Sequence, residues 1–263
     1  MLMNKPIGIF DSGIGGTSIW KEVIKLLPNE NTIYLADSKN APYGEKSPEE
    51  ILSLSVKNTE LLISKGCKLI IVACNTATTN AINYLRATYN IPFIGIEPAI
   101  KPAALLSKTG AIGILATKGT LASDLFEKTA KEYTKNITAI EQDGEGLVAL
   151  IEAGKLNSTE INNLLSTYLE PMLNFNIDHL VLGCTHYPYL IPQIKKIIGK
   201  HIVIIDSGEA VAKQTKAILL KNNLFSTKTT ASQHQFYTNT QTKVISKILN
   251  DVLVDFNIQK LDF

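Results

Sequence analysis

Short apolar runs alternate along this chain with longer segments in which apolar residues recur at helical spacing. The runs predict β-strands, and the segments between them, such as 17–27, 48–65 and 77–88, predict helices. Strands that are joined through helices pair in parallel, because each helix returns the chain to the same edge of the sheet. The predicted strands lie near 6–10, 32–36, 68–73, 92–96, 110–115, 136–140, 178–183 and 201–205. This alternation predicts an α/β fold with parallel sheets and helices on both faces.

The predicted strands also repeat in sequence. Four matches recur in the same order, with the partners roughly 104–110 residues apart. The matched segments are 7–12 with 112–117, 34–37 with 138–141, 72–74 with 182–184, and 94–97 with 203–206. Four matches in one order indicate an internal duplication. We therefore expect two similar parallel-sheet α/β domains, with the active site in the cleft between the carboxyl ends of their strands.

The last part of the chain has no counterpart in the duplication. The first repeat ends near Pro98 and the second near Asp206, and helical patterns follow at 209–222 and 241–254. This tail is predicted to pack on one of the two domains.

The composition indicates a soluble globular protein, with 45% apolar and 19% charged residues. The net charge of +2 and the scattered lysines do not predict a nucleic-acid or membrane-surface partner. No apolar run approaches the roughly 18–20 residues of a membrane span, and the first residues lack the pattern of a signal peptide. We therefore expect a cytoplasmic protein.

Three cysteines, Cys67, Cys74 and Cys184, are too few and too scattered for a disulfide framework. No Cys-x-x-Cys or His-x-x-x-His spacing accompanies them, so zinc is not predicted. We expect reduced thiols and no metal site. Cys67 lies where a helix leads into a strand and is interpreted as a small buried hydrophobe.

Cys74 and Cys184 each end a predicted strand and precede a predicted helix. The positive end of a helix dipole and its free N–H groups favour thiolate over thiol. Two cysteines at matched positions predict a pair of acid/base groups that approach one substrate from opposite sides. The polar residues that follow them, Asn75–Thr76 and Thr185–His186, could donate hydrogen bonds to a carboxylate, and His186 could share a proton with Cys184.

A glycine-rich segment, 11–16 (DSGIGG), follows the first strand. One interpretation is a dinucleotide-binding fingerprint with Asp37 as the acid for the ribose, although the third glycine would fall at Ser18. The favoured interpretation is that Asp11 and Ser12 present polar groups to a small ligand, with glycines that permit close approach.

Other polar residues each have a structural alternative. Tyr43–Gly44 could form a turn. Thr117 and Thr120 could cap a helix instead of binding a carboxylate. The pattern around Glu152 is typical of a charged side chain on the solvated face of a helix. No role is assigned to His179, His201 or His234.

Several motifs together resemble the cofactor-independent aspartate/glutamate racemase family over nearly the whole chain. The motifs lie at 7–16 (IGIFDSGIGG), 34–37 (YLAD), 42–44 (PYG), 73–78 (ACNTAT), 95–98 (GIEP), 116–120 (ATKGT) and 183–188 (GCTHYP). The resemblance implies conversion of L-glutamate to D-glutamate for peptidoglycan, without pyridoxal phosphate, metal or any other cofactor. It also implies a homodimer, and a first domain of residues 1–97 plus 210–263 around a second domain of 98–209.

The same resemblance assigns roles to single residues. Cys74 and Cys184 are the implied acid/base pair, Asp11 and His186 assist them, and Glu152 best matches an assisting glutamate of the family's second domain. The implied substrate-binding residues are Asp11, Ser12, Tyr43, Gly44, Asn75, Thr76, Thr117, Thr120, Thr185 and His186. The chemistry of inversion agrees, because it needs a base on one face of Cα and an acid on the other.

Three alternatives stay open on the sequence. An aspartate racemase of the same family differs by one methylene in its substrate, which a pocket discriminates by only about 1–3 kcal/mol. A two-domain binding protein would share the duplicated architecture but would not need paired cysteines. A dinucleotide-dependent oxidoreductase would need nicotinamide binding.

Overall fold

The computed structural model, which describes residues 2–227 and 230–263, contains two fully parallel β-sheets with helices packed around them. The strands are β1 (Ile7–Asp11), β2 (Thr32–Ala36), β3 (Leu69–Val72), β4 (Phe93–Gly95), β5 (Ala111–Ala116), β6 (Thr138–Asp143), β7 (His179–Gly183), β8 (Val203–Ile205), β9 (His234–Thr238) and β10 (Phe256–Lys260). The helices are α1 (Thr17–Leu26), α2 (Pro48–Ser64), α3 (Asn75–Thr88), α4 (Ile100–Leu106), α5 (Lys118–Leu121), α6 (Asp124–Tyr133), α7 (Leu147–Glu152), α8 (Thr159–Leu173), α9 (Ile191–Ile198), α10 (Gly208–Lys221) and α11 (Lys243–Ile248).

The strand order of one sheet is repeated in the other. The first sheet has the order β10-β9-β2-β1-β3-β4, and the second has the order β6-β5-β7-β8. The series β2-β1-β3-β4 therefore recurs four strands later as β6-β5-β7-β8. This arrangement confirms the predicted fold class of two similar parallel-sheet units related by duplication.

The eight strands predicted from apolar runs are all present, with bounds that differ by at most three residues. Strand β1 is central in its sheet, since Ile7 aligns with Thr32 of β2 on one side and Leu69 of β3 on the other. Helix α2 begins at Pro48 as its sequence signal indicates, and Glu50 N–H donates to the capping Ser47 Oγ at 3.2 Å.

The tail differs from its prediction. Only Lys243–Ile248 of the predicted 241–254 helix is helical, and β9 and β10 extend the first sheet beyond β2. His234, to which the sequence assigned no role, begins β9 and is buried. The burial alternates along β9, which is the pattern of a strand with one face inward, but polar residues such as Gln235 obscure it in the sequence.

Aromatic rings attach this tail to the body of the first sheet. The ring of Phe236 in β9 lies 4.8 Å from that of Trp20 in α1 and 5.4 Å from that of Tyr34 in β2. Such buried rings remove a large apolar area from water. Their packing explains why a segment with little strand pattern joins the sheet.

The chain crosses between the two sheets twice. After β4 it enters α4, which packs on β5 and β7, and after β8 it enters α10, which packs on α1. Ser207 Oγ donates to the Glu97 carbonyl at 2.5 Å and so joins the two crossings. On the cleft side, Thr185, just after β7, donates to Asp11 at the end of β1. The carboxyl ends of the two sheets therefore face each other.

No helix within the described residues is long and apolar enough to span a membrane.

Candidate active site

Cys74 and Cys184 occupy equivalent places, each within two residues of the end of the third strand of its repeat. Both side chains are almost fully buried. They line one small cavity between the two sheets. The structure thus brings together two thiols that lie far apart in the sequence.

The Cys74 thiol lies in an environment that keeps it protonated. Burial raises the pKa of Cys74 well above its ordinary value, and the nearby charge of Asp11 raises it further. The Ala77 N–H, 3.4 Å from Sγ at the start of α3, opposes this only in part, as does the bond of Sγ to Ser12 Oγ at 3.7 Å. The expectation that the helix end makes Cys74 a thiolate is therefore wrong, because the loss of water outweighs one weak N–H contact.

The Cys184 thiol has a different partner. Its Sγ lies 3.7 Å from Nδ1 of His186, whose Nε2 lies 2.6 Å from Glu152 Oε1. Burial alone would lower the pKa of His186, but hydrogen bonds to Cys184 and Glu152 and the charge of Asp11 raise it well above its ordinary value. An imidazolium in this position donates one N–H toward Cys184 and the other to Glu152. The two thiols are therefore matched in topology and unlike in electrostatics.

Asp11 lies inside the cleft at the end of β1. Its side chain is fully buried, and burial raises its pKa, although the charge of His186 and backbone N–H groups oppose that rise. Oδ2 accepts from the Gly13 N–H at 3.0 Å, and Oδ1 accepts from Thr185 Oγ1 at 3.2 Å. Asp11 is thereby held between the two halves of the site.

Glu152, at the end of α7, lies in the cleft instead of on the solvated helix face that its pattern indicates. Its Oε1 accepts from the Ile14 N–H at 2.7 Å and contacts His186, while Oε2 accepts from Ser38 Oγ at 2.7 Å. The carboxylate of one sheet unit is thus bonded to the backbone and to a side chain of the other. Ser38 was not among the predicted site residues. Its position just beyond the end of β2 was the available signal, because strand ends line the cleft.

The glycines of the 11–16 segment make room for these two side chains. A Cβ at Gly13 would overlap the Glu152 carboxylate, and a Cβ at Gly15 would overlap the His186 ring. This close approach explains the glycines without a dinucleotide. Asp37, the acid that a ribose would need, is 1% exposed and is hydrogen-bonded inside the protein. The fingerprint interpretation is therefore not supported.

Three threonine hydroxyls meet across the cleft. Thr76 Oγ1 lies 2.9 Å from Thr117 Oγ1 and 3.2 Å from Thr120 Oγ1, and Thr117 donates to Thr120 at 3.0 Å. Thr117 Oγ1 also accepts from the Thr120 N–H at 3.3 Å, so it caps α5 as the alternative interpretation stated. Thr76 and Thr117 line the cavity as well, so capping and binding are compatible.

Tyr43 and Gly44 close the cleft from the first sheet. The Tyr43 hydroxyl donates to Asp37 Oδ2 at 2.5 Å. A Cβ at Gly44 would lie 2.9 Å from Cβ of Thr117 on the other side, so the two walls touch here. Asn75 also lines the cavity, and its Nδ2 has no hydrogen-bond partner within the described residues. An unpartnered buried donor is costly, which suggests that its partner is a ligand.

The cavity between the thiols is closed. Its volume is about 10 Å³, no more than one water molecule requires. Its lining comprises Ser12, Pro42, Tyr43, Gly44, Cys74, Asn75, Thr76, Thr117, Val148, Cys184, Thr185 and His186. A larger cavity of about 510 Å³ shares Pro42, Gly44, Thr117 and Val148 with it. Separation of these shared walls would connect the thiols to the larger space.

The third cysteine lies outside this arrangement, and the described residues offer no metal site. Cys67 packs beside Gly8 on the far part of the first sheet, and burial raises its pKa to about 12. Across residues 2–227 and 230–263, no three or more His, Cys, Asp and Glu side chains are grouped so that they could hold a metal ion.

Known proteins share this architecture. The family model described as Asp/Glu/Hydantoin racemase matches residues 8–215. A glutamate racemase of Herpetosiphon aurantiacus is 42% identical over 247 residues, which cover 94% of this chain and 97% of that protein. The crystal structure of glutamate racemase from Francisella tularensis in complex with D-glutamate superposes with a TM-score of 0.84 at 29% identity, covering 99% of this chain and 98% of that one.

A second structure, Escherichia coli glutamate racemase in complex with L-glutamate and the activator UDP-MurNAc-Ala, has a TM-score of 0.85 at 29% identity and covers 98% of both chains. The matched region contains both cysteine-bearing strand ends and the residues around them. The chain therefore belongs to the Asp/Glu/Hydantoin racemase family of isomerases.

Proposed function

We propose that this enzyme interconverts L-glutamate and D-glutamate by moving the Cα proton between Cys74 and Cys184. The observation that carries the proposal is the pair of buried thiols at equivalent strand ends, facing one cavity with unlike partners. Inversion of a stereocentre needs an acid and a base on opposite sides of one carbon.

Glutamate is the proposed substrate because the similar proteins act on or bind it by name. The Francisella relative is described with D-glutamate and the Escherichia coli relative with L-glutamate. The cleft also carries donors suited to carboxylates. They include the unpartnered Asn75 amide, the Ser12 hydroxyl and the threonine hydroxyls at 76 and 117.

The unlike partners of the thiols support a defined starting state. Cys74 is the neutral thiol, since burial and Asp11 both favour that form. Cys184 lies 3.7 Å from Nδ1 of His186, whose raised pKa favours the imidazolium, and we assign Cys184 the role of the base. One base and one acid then face the substrate from opposite sides.

The proposed reaction balances with one proton at each thiol. The Cys184 thiolate takes the Cα proton and becomes a thiol, and the electron pair stays on the substrate as a carbanion. Cys74 then delivers its proton to the opposite face and becomes a thiolate. In the reverse direction the two cysteines exchange these tasks. The Cα proton is very weakly acidic, so oriented donors in a water-free cleft must stabilise the carbanionic charge.

Closure of the cleft fits this requirement. A cavity of about 10 Å³ does not admit an amino acid, so we propose that the cleft opens to bind and closes to react. The moving parts are the two proposed domains, residues 1–97 with 210–263 and residues 98–209. The distribution of strands between the two sheets supports these limits.

The remaining assignments follow from the resemblance. We propose that D-glutamate made here supplies peptidoglycan synthesis, that no cofactor takes part, and that the enzyme acts as a cytoplasmic homodimer. Three free, buried cysteines suit a reducing compartment. Light scattering during size-exclusion chromatography tests the dimer.

The direct test is incubation of the purified enzyme with L-glutamate in heavy water, without added cofactor, followed by chiral separation and mass spectrometry. D-glutamate should form and carry deuterium at Cα from the first turnover, because the delivered proton comes from a thiol that exchanges with solvent. Absence of D-glutamate, or product that retains the original Cα hydrogen, would contradict the proposal.

A further inference from the structure

One residue of the C-terminal tail reaches the loop that closes the cleft, although the tail has no counterpart in the duplicated unit. Asn239 follows β9 and is almost fully buried. Its Oδ1 accepts from the Lys39 N–H at 2.8 Å, and its Nδ2 donates to Asp37 Oδ1 at 2.5 Å and to the Phe263 carbonyl at 3.3 Å. One side chain thus holds two neighbouring points of the segment 37–44, which we name the cleft loop.

The first point of attachment leads to Tyr43. Asp37 is buried and takes part in none of the ion pairs found among the described residues, so its carboxylate depends on neutral donors. These donors are Asn40 at 2.8 Å, Asn58 at 3.5 Å, Asn239 and the Tyr43 hydroxyl. Burial and the charge of Asp37 raise the pKa of Tyr43 well above its ordinary value, so the hydroxyl stays protonated and donates. The ring of Tyr43 forms part of the cavity wall.

The second point of attachment leads to Cys184. The N–H of Lys39, held by Asn239, lies directly after Ser38 in the chain. Ser38 Oγ donates to Glu152, Glu152 contacts His186, and His186 contacts the thiol. A displacement of the loop at Lys39 would therefore reach the group that controls Cys184.

We propose that Asn239 is a positioning residue for the reaction, which holds the cleft loop so that Tyr43 and Ser38 both meet the second sheet. Deleting its amide removes the acceptor of the Lys39 N–H and one of the two side-chain donors to Oδ1 of the buried Asp37, which then keeps only Asn40. Water must enter or the loop must shift, because an unmade buried hydrogen bond is costly. The kinetic measurement of this inference rests on the proposed racemase function. The reactivity of the Cys184 thiol gives a second measurement that does not depend on that function.

Asn31 offers a matched control. Its Oδ1 accepts from the Gln233 N–H at 2.9 Å, and its Nδ2 donates to the Asn4 carbonyl at 3.4 Å. It is thus a second asparagine that fastens the tail to the first sheet. However, it lies before β2, at the end of the sheet away from the cleft.

The experiment compares Asn239→Ala, the isosteric Asn239→Asp and Asn31→Ala in the full-length enzyme. Racemisation kinetics, the pH dependence of iodoacetamide labelling at Cys184 by mass spectrometry, and unfolding by urea are measured for each. Asn239→Ala should lower kcat/KM by about tenfold. It should also shift the labelling midpoint of Cys184 by roughly half a pH unit or more. Asn31→Ala should keep both quantities near those of the wild type.

Asn239→Asp fills the same space but turns a carboxylate toward Asp37, so its kcat/KM should fall at least as far. If either Asn239 variant folds and keeps wild-type kinetics and labelling, the inference is overturned. It is also overturned if Asn31→Ala produces equal losses, since that result would show a general effect of tail attachment. An enzyme without glutamate racemisation would refute the proposed function alone, because the labelling comparison would still decide the role of Asn239.

Discussion

Glu152 Oε1 lies 2.6 Å from Nε2 of His186, and the same carboxylate accepts hydrogen bonds from Ile14 and Ser38 of the other sheet unit. A single side chain therefore sets the charge of the histidine beside Cys184 and also joins the two walls of the cleft. We therefore expect closure of the cleft and activation of the Cys184 thiol to be coupled through this carboxylate.

Replacement of Glu152 by Gln should shift the pH profile of the enzyme. Loss of the negative charge lowers the pKa of His186, so the imidazolium loses its proton at lower pH than in the wild type. The alkaline limb of kcat/KM should move to lower pH by about one unit, with a lower maximum. Glu160→Gln on the exposed face of α8 is the control, and an unmoved limb in Glu152→Gln would contradict the coupling.

Serine at either Cys74 or Cys184 should stop racemisation. A hydroxyl ionises far less readily than a thiol, so one face of the substrate would lose its acid or base. The matched control is Cys67→Ser, because that thiol is also buried but lies outside the cavity. Racemisation is followed by circular dichroism of glutamate. Wild-type rates in Cys184→Ser would show that this thiol is structural.

Asp11→Asn should make Cys74 easier to ionise while it slows the reaction. The charge of Asp11 raises the pKa of Cys74, so a neutral amide lowers it and should speed iodoacetamide labelling of Cys74 at pH 8. Racemisation should nevertheless fall by more than tenfold, or about 1.4 kcal/mol, because Asp11 orients groups on both sides of the cleft. The free energy of unfolding should change little. Slower labelling together with normal turnover would argue against both roles.

His234 should make the protein less stable as the pH falls. Burial lowers its pKa in the folded state to about 4, below its value in an unfolded chain. The unfolded chain therefore takes up the proton first, and stability that is present near pH 7 is lost as the pH drops from about 6.5 toward 4. The loss should be about 2 kcal/mol and should be reduced in His234→Gln but not in His201→Gln. Urea unfolding at pH 7 and pH 5 measures this loss. An equal loss of unfolding free energy in the wild type, His234→Gln and His201→Gln would exclude His234 as the cause.

The core strands and the cysteine pair could be predicted from the sequence because each depends on a local pattern. A buried parallel strand is a continuous apolar run, and its end is marked by the change to polar residues at Cys74 and Cys184. The duplication then placed these two ends at the same point of two similar sheets. The strand order confirms that step.

The tail was less predictable, because contacts with residues remote in the chain determine where its strands lie. β9 is half polar, and it joins the sheet through pairing with β2 and through Phe236 against Trp20. The 241–254 segment has helical spacing, yet only part of it is helical and β10 follows at once. Pairing and ring packing outweighed the local pattern there.

The sequence by itself determined the parallel α/β architecture, its duplication and the residues that meet at the strand ends, since strand periodicity and chain order are local properties. Only the tertiary structure decided the protonation of those residues and the side chains that support them. The pKa of Cys74 is raised because folding removes water from the thiol and brings Asp11 near, and Glu152 reaches His186 because α7 ends inside the cleft. Burial and charge depend on distances between segments that are remote in the chain, and the fold alone sets those distances.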